Sequence, residues 1–454
     1  MTGPALGADR GLPGLSLEDL LDGAAPPWAR ALAALLALPA LASLSLVAFN
    51  AVFWTRGRAL PPGGLAASGG LSGLAASGGL SGLAASGGLS GLAASGGLSG
   101  LAASGGLSVL IPARDEKANI ERCVRAADAA RGPITEIVVY DDGSTDGTSA
   151  ILVRLQAELP RLRVVRGDCL PAGWVGKPYA LQRLSEVSGG ELLLNIDADV
   201  TLRSDGVLRM LSLLEPADLV PGGLGADLVT AVPRQSTGSF VERLMIPLLH
   251  LSYVAWLPMP LIHRTRDSRV LAANGQLLLV RRSALEAVGG WARVRAALVD
   301  DMALCRAVKE SGRRVVFADG DQMADCRMYS DADSLWRGFA KNFYEGIGGH
   351  PLAMIAVIWL HLMFFVAPYL ALPLAVGFGA GGLAAAAAVG VGANVILRLI
   401  MARRYGHSPL SVLLHPVAVL LMMGVLLESF RWSRRGEIRW RGRSYAARAQ
   451  REAA

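Results

Sequence analysis

Two carboxylates close an apolar run in Glu191-Leu-Leu-Leu-Asn-Ile-Asp-Ala-Asp-Val200. The run reads as a strand buried on both faces. The spacing of Asp197 and Asp199 places both side chains on one side of an extended backbone. Carboxylates at the end of a buried strand are costly unless they bind something positive. A hard divalent cation fits, because Mg²⁺ takes one or two protein carboxylates and completes its shell with substrate phosphate and water. Surface loops also produce Asp-x-Asp, so the pair acquires meaning from its company.

That company is substantial. The turn Pro112-Ala-Arg-Asp-Glu116 and the pair Asp141-Asp142 carry groups that can accept hydrogen bonds from a base imide and from ribose hydroxyls. Asp141-Asp142-Gly143-Ser144 equally reads as an ordinary turn and helix N-cap. Gly173-Trp-Val-Gly-Lys-Pro-Tyr-Ala-Leu181 offers close backbone approach and, in Lys177, a point charge for diphosphate. It lacks the spacing of a Walker loop. Leu298-Val-Asp-Asp-Met-Ala-Leu304 puts Asp300 and Asp301 in a helix first turn, where the helix dipole favours acids.

The elements that must position these groups alternate. Strand-like segments at 108–113, 136–141, 163–166 and 191–200 are separated by helical patterns over 118–130 and up to Glu158. Ala273 to Arg281 reads as a further strand, followed by a helix over 282–290. Such alternation predicts right-handed crossovers and a mostly parallel sheet with ligands at its carboxyl edge.

In order and spacing, Ser108-Val-Leu-Ile-Pro-Ala-Arg-Asp-Glu116, Val139-Tyr-Asp-Asp-Gly-Ser-Thr-Asp-Gly-Thr148 and Asn195-Ile-Asp-Ala-Asp199 resemble the opening motifs of family 2 glycosyltransferases with the GT-A fold. The resemblance covers 107–345 and implies an α/β, Rossmann-like nucleotide-diphospho-sugar transferase domain that transfers with inversion. It further implies that Pro112, Arg114, Glu116 and one of Asp141 or Asp142 grip the nucleotide, with Lys177 against it. Asp197 and Asp199 would hold Mg²⁺ or Mn²⁺, with Asp197 also facing the donor. Asn274, Gly275 and Asp300 would lie on the acceptor side. Asp301 aligns with the catalytic base, although the family usually has Glu-Asp where this chain has Asp300-Asp301. An inverting transfer needs one carboxylate opposite the leaving diphosphate to take the acceptor proton. Cys326-Arg-Met-Tyr329 and Trp336-Arg-Gly-Phe-Ala-Lys-Asn342 are similar to bacterial carotenoid glycosyltransferases of the chlorobactene glucosyltransferase kind, with hopene-associated glycosyltransferases close by. There Arg327 and Lys341 would hold diphosphate. The Gln-x-x-Arg-Trp of processive polysaccharide synthases is missing.

The 454 residues are 52% hydrophobic and 18% charged, enough for one large domain plus membrane segments. The formal charge of +7 is carried by scattered arginines, with only four lysines, which argues against nucleic acid as a partner. Four cysteines without a C-x-x-C pair imply reduced thiols. After a tail (1–29), residues 30–55 form an apolar span flanked by Arg30, Arg56 and Arg58, which favours a cytoplasmic catalytic domain in an inner-membrane, multi-pass protein. Residues 56–106 contain a nonapeptide, Leu-Ala-Ala-Ser-Gly-Gly-Leu-Ser-Gly, repeated from 65; its composition predicts a flexible linker that tethers the domain loosely. The apolar interruption from Leu244 to Ile262 reads as an interfacial segment meeting a lipid acceptor. Residues 346–430 contain apolar stretches at 351–378, 381–400 and 409–427, the glycine- and alanine-rich middle one being the weakest span. Three crossings would strand the basic tail (431–454) opposite the catalytic domain, against the positive-inside tendency.

The expectation is therefore a membrane enzyme moving a hexose from a UDP-sugar or similar donor to a lipid hydroxyl, the lipid a carotenoid or other terpenoid. The competing readings are a processive polysaccharide synthase and a non-catalytic nucleotide-binding membrane protein.

Overall fold

The computed structural model describes residues 16–57 and 106–436, except 22, 168 and 218–222, together with 438–440 and 443–445. The nonapeptide repeats, most of the N-terminal tail and the last residues lie outside the described residues. The chain divides into two compact units, one of residues 54–236, 259–329 and 433–454, the other of 1–53, 237–258 and 330–432. This division runs through the stretch 107–345 that the sequence presents as one domain.

The first unit is built on an eight-stranded sheet: β1 (Leu107–Ala113), β2 (Ile134–Asp141), β3 (Leu162–Arg166), β4 (Leu192–Ile196), β5 (Val200–Leu202), β6 (Leu228–Gln235), β7 (Leu277–Arg281) and β8 (Val315–Cys326). Their spatial order is β3-β2-β1-β4-β7-β6-β8-β5. β1 and β4 are buried almost throughout, as their unbroken apolar runs require. The helix over Ile120–Ala129 buries Ile120, Cys123, Val124 and Ala127, a stripe at helical spacing that packs into the core shared with Val109, Ile111 and Leu194.

β3, β2, β1 and β4 pair in parallel, as the alternation predicts. β7 departs from the expectation: it runs antiparallel to both β4 and β6. The consequence is functional. An antiparallel strand presents its beginning where a parallel one presents its end, so Gln276, just before β7, meets Asp197, just after β4, with the Asp197 N–H donating to the Gln276 carbonyl at 3.2 Å.

The four residues after the first apolar helix are fixed; the repeats expected to tether the domain loosely lie outside the described residues. Trp54 stacks on Phe317 at 5.4 Å and donates from Nε1 to its carbonyl at 3.1 Å. Asp319 N–H donates to the Thr55 carbonyl at 2.8 Å, and Arg56 pairs with the Asp319 carboxylate at 3.2 Å. A Cβ on Gly57 would stand 1.9 Å from the Arg209 carbonyl oxygen. The chain is thus held against β8 before the repeats begin.

The second unit is helical. Three of its described helices are long and apolar enough to cross a bilayer: Pro27–Phe53, Gly381–Tyr405 and His415–Arg435. The glycine- and alanine-rich stretch, expected as the weakest span, is a 25-residue helix. Its small residues are a packing face: Ala387, Gly390 and Ala393 are buried, and a Cβ on Gly390 would lie 2.3 Å from the Leu36 carbonyl oxygen. The stretch at 351–378 is instead broken at Val366 into Pro351–Phe365 and Ala367–Gly377, with Pro368 beginning the second piece. The interruption at 244–262 is not one helix but several short ones, Phe240–Met245 and Pro247–Val254 in this unit and Leu261–Arg264 in the first, with a Ser239–Glu242 capping box starting Phe240–Met245.

Candidate active site

The Asp-x-Asp pair does not lie on an extended backbone. Residues 197–199 form a turn between β4 and β5, closed by Val200 N–H donating to the Asp197 carbonyl at 3.0 Å. The turn separates the two carboxylates. Asp197 Oδ1 accepts from Lys177 Nζ at 2.5 Å, whereas Asp199 Oδ1 is buried and has no hydrogen-bond partner. Burial, reinforced by the negative charges of Asp197 and Glu116, pushes the Asp199 pKa up to about 7.

Lys177 enters the same edge at the start of the helix Gly176–Val187. Its Nζ also lies 3.4 Å from the Gly275 carbonyl. Burial alone would depress its ammonium, but Asp197, then Asp300 and Asp301, more than offset this and hold it above the ordinary lysine value.

Asp300 and Asp301 open the helix Asp300–Glu310. A Cβ placed on Gly275 would stand 3.1 Å from Asp301 Cβ, 3.3 Å from Asp301 Oδ2 and 3.3 Å from Lys177 Nζ. Glycine is therefore what lets the β7 approach, the base candidate and the lysine converge. Burial raises the Asp301 pKa despite opposition from Lys177 and from the Met302 and Gly275 N–H groups. Burial, joined by Asp301 and Asp197 and opposed by Lys177, carries Asp300 up to about 6. Asp300 Oδ2 is buried without a hydrogen-bond partner.

The β1 and β2 turns are stitched together beside this cluster. Asp115, in the left-handed region at φ 55°, accepts from Thr145 N–H at 2.7 Å, and its own N–H donates to Ser144 Oγ at 3.0 Å. Glu116 N–H donates to Thr148 Oγ1 at 2.8 Å. Asp141 is engaged locally, accepting from Ser144 N–H at 3.1 Å and from the Ser149 hydroxyl. Asp142 instead faces Arg114, whose Nη1 lies 3.8 Å from its carboxylate and donates to its carbonyl. Between the two acids that the sequence left open, the geometry thus makes Asp141 the builder of the turn. Pro112, on β1, pairs in register with Tyr140 of β2.

On the β7 side, Asn274 is absorbed into the turn. It exchanges hydrogen bonds with Thr230 Oγ1 through its N–H and carbonyl, and its Oδ1 accepts from Gln276 N–H at 3.0 Å. Arg327 follows β8 and is exposed. Lys341 belongs to the helix Ala332–Gly346 of the helical unit. Gln276 and Cys326 lie within quoted motifs, but the sequence assigned neither a role in the site. Gln276 receives a hydrogen bond from Gln235 at 2.9 Å and donates to Cys326 Sγ at 3.1 Å. Burial, then Asp199 and Asp197, hold the Cys326 thiol well above its usual value. Their only signal was position, two residues past Asn274 and one before Arg327. All four cysteines are free thiols, as expected.

The donor set fits a hard cation. Asp199 offers a buried oxygen lacking a partner and a carboxylate whose proton affinity is raised by burial and neighbouring acids, both of which a divalent ion would relieve. Among the described residues no group of three His, Cys, Asp or Glu could enclose a metal, so substrate oxygens and water would complete the shell.

The fold and site define an α/β sheet of the GT-A, Rossmann-like class, with acids and a lysine at its carboxyl edge. Residues 108–289 match the family model for Glycosyl transferase family 2. The chain is 29% identical over 187 residues to the beta-monoglucosyldiacylglycerol synthase of Nostoc sp., a match covering 40% of this chain and 37% of that protein. It is also 29% identical over 182 residues to an N-acetylglucosaminyltransferase of Azorhizobium caulinodans, covering 39% of this chain and 42% of that one. The chain thus spans well under half the length of these relatives. Among solved structures it is similar to the mannosyltransferase PcManGT from Pyrobaculum calidifontis in complex with GDP-Man and Mn²⁺, at 18% identity and TM-score 0.43, covering 72% of this chain and 86% of that one.

Proposed function

We propose that the protein is a membrane-bound, metal-dependent inverting glycosyltransferase that moves a hexose from a nucleotide-diphospho-sugar, a UDP-sugar first among candidates, to the hydroxyl of a membrane lipid. The convergence of Asp301, Lys177 and Asp197 around Gly275 carries this reading. A nucleotide-binding scaffold has no use for a further buried carboxylate beside the lysine that would face phosphate.

In this reading Asp142 and Arg114, with Pro112 and Glu116, hold the nucleotide. Lys177 leaves Asp197 to meet diphosphate oxygens. Asp301, its proton affinity raised by burial, takes the proton from the acceptor hydroxyl as that oxygen attacks C1. Asp300 supports the acceptor side. Mg²⁺ or Mn²⁺ held by Asp197 and Asp199 would, when bound, neutralise charge on the departing diphosphate. The diacylglycerol in the name of the Nostoc relative supports a lipid acceptor; a carotenoid or other terpenoid alcohol remains the acceptor to test beside it.

Contacts within the helical unit support a topology. Gly390 packs on Leu36, while Tyr405 stacks on His250 at 4.1 Å and Asn50 donates to the Val254 carbonyl, so Pro27–Phe53 and Gly381–Tyr405 run in the same direction. The broken pair 351–377 then makes the return crossing. His415–Arg435 runs back beside it, from Phe365 at its start to Tyr344 near its end. In this topology Arg403 and Arg404, at the end of Gly381–Tyr405, take the cytoplasmic side by the positive-inside tendency.

Membranes holding wild type or Asp301→Asn, incubated with labelled UDP-sugars and lipid extract, test the reading. It requires divalent-ion-dependent label as single sugars on lipid in wild type alone. Polymer would assign a processive synthase, and no label in either would reject transfer.

A further inference from the structure

The helical unit holds a concentration of polar groups of its own. At its centre is Arg398, fully buried on the helix Gly381–Tyr405. Its Nη2 donates to Ser411 Oγ at 3.0 Å and lies 3.4 Å from the Ser411 carbonyl, while Nε has no partner. No carboxylate among the described residues pairs with it. The Arg398 charge reaches the Tyr369 hydroxyl and the rings of His250, His407 and His415. Around it the Tyr369 hydroxyl, His407 Nδ1 and both ring nitrogens of the fully buried His415 are likewise without partners.

This pattern has a sign. Arg398 contributes a permanent charge and a free N–H, Tyr369 a hydroxyl donor, and each imidazole one N–H donor. A lock on the 406–414 turn would explain the bonds to Ser411, but a neutral amide would serve there equally well. Buried water would satisfy the donors and leave the charge uncompensated. A charged side chain within a bundle persists where a counter-charge meets it. Arg398 lies seven residues before the helix end at Tyr405, about 10 Å along the axis at the helical rise. That depth brings it to the headgroup region of the leaflet on which Arg403 and Arg404 emerge.

We propose that Arg398, with Tyr369 and His415, binds the phosphate of an anionic ligand within the helical unit. The group is a phosphate, supplied as the ester of a membrane phospholipid headgroup or as free inorganic phosphate. Guanidinium matches phosphate oxygens through paired N–H groups, and the unused Nε is one half of such a pair. This site involves no group of the proposed transfer reaction and stands independently of it.

Full-length protein in detergent, wild type and Arg398→Gln, tests it by native mass spectrometry after reconstitution with phosphatidylglycerol, and by thermal unfolding of delipidated protein titrated with sodium phosphate. Retained phosphatidylglycerol, reduced about tenfold or more in Arg398→Gln, assigns the headgroup. Stabilisation by phosphate, lost in the variant, assigns free phosphate. Because Arg398→Gln also disturbs the Ser411 contacts, Tyr369→Phe supplies a second reading. It removes only a hydroxyl without a protein partner, so it should unfold like wild type when delipidated yet retain several-fold less ligand. Equal retention and equal phosphate response in wild type and both variants would overturn the proposal.

Discussion

The Cα of Gly275 lies against the side chain of Asp301, so closely that a Cβ there would stand 3.1 Å from Asp301 Cβ. The neighbours that must yield are the base candidate itself and Lys177 Nζ. Gly275→Ala should therefore displace catalytic groups while leaving the core intact. We expect kcat to fall about tenfold to a hundredfold, since misplacement of this size is costly in a positioned reaction. Thermal unfolding should move little; a collapse in stability with unchanged kcat in the folded fraction would contradict the role given to this glycine.

Asp301→Asn keeps size and removes basicity. Loss of a general base costs about 10² to 10⁴ in rate. Donor binding, read by nucleotide titration, should be nearly unchanged, and Asp141→Asn should behave oppositely, lowering stability through the Ser144 and Ser149 contacts while sparing chemistry in the folded fraction.

The pH dependence follows from Asp301, which must be ionised to accept a proton. Burial raises its pKa and Lys177 opposes the rise. Activity should thus fall as pH drops through the raised value. Lys177→Met removes the opposing charge, so the acid limb of kcat/KM should shift to higher pH. A shift to lower pH would be inconsistent with this arrangement.

Metal linkage can be read without turnover. Asp199 has a folded pKa of about 7 against an ordinary value of 3.8, so between these limits the folded chain binds more protons than the unfolded one. Stability of the metal-free protein should therefore decline as pH rises through that window. Mn²⁺ or Mg²⁺, binding the ionised form, should raise Tm more at pH 8 than at pH 5.5. Asp199→Asn should abolish both effects.

Trp54 and Arg56 hold the chain to β8 before the repeats begin. At the far end of the linker Gly106 abuts Thr135, and the neighbouring Gly132 packs on Val207, two residues before the Arg209 that meets Gly57. Both attachment points therefore lie around the helix Gly206–Leu214. Excising residues 65–100 should leave activity within about twofold, because loop-closure entropy changes slowly with length. Trp54→Ala should cost about 3 kcal/mol in the unfolding of the catalytic unit. The reverse ranking would restore the linker as the important tether.

Local pattern was enough for much of this protein. Asp197, Asp199, Lys177, Asp300 and Asp301 were recognisable because each sits where a run of apolar or helical spacing stops, and backbone periodicity is a short-range property. The strands at 107–113, 134–141, 162–166 and 192–196 were legible for the same reason. Pairing was not. The antiparallel insertion of β7 links residues some eighty positions apart, and it brings Gly275 up against Asp301 and Lys177. The separate fates of Asp141 and Asp142 depend on which neighbour each meets, Ser149 or Arg114, and adjacent identical residues carry no mark of that. The glycine- and alanine-rich span looked weak because hydropathy scores side chains singly. Only the packed helix reveals that those small residues let Gly390 approach Leu36. Sequence alone determined the chemistry available to this chain; the tertiary structure decided which groups share a site, because side-chain proximity across the sheet and between helices is set by long-range packing.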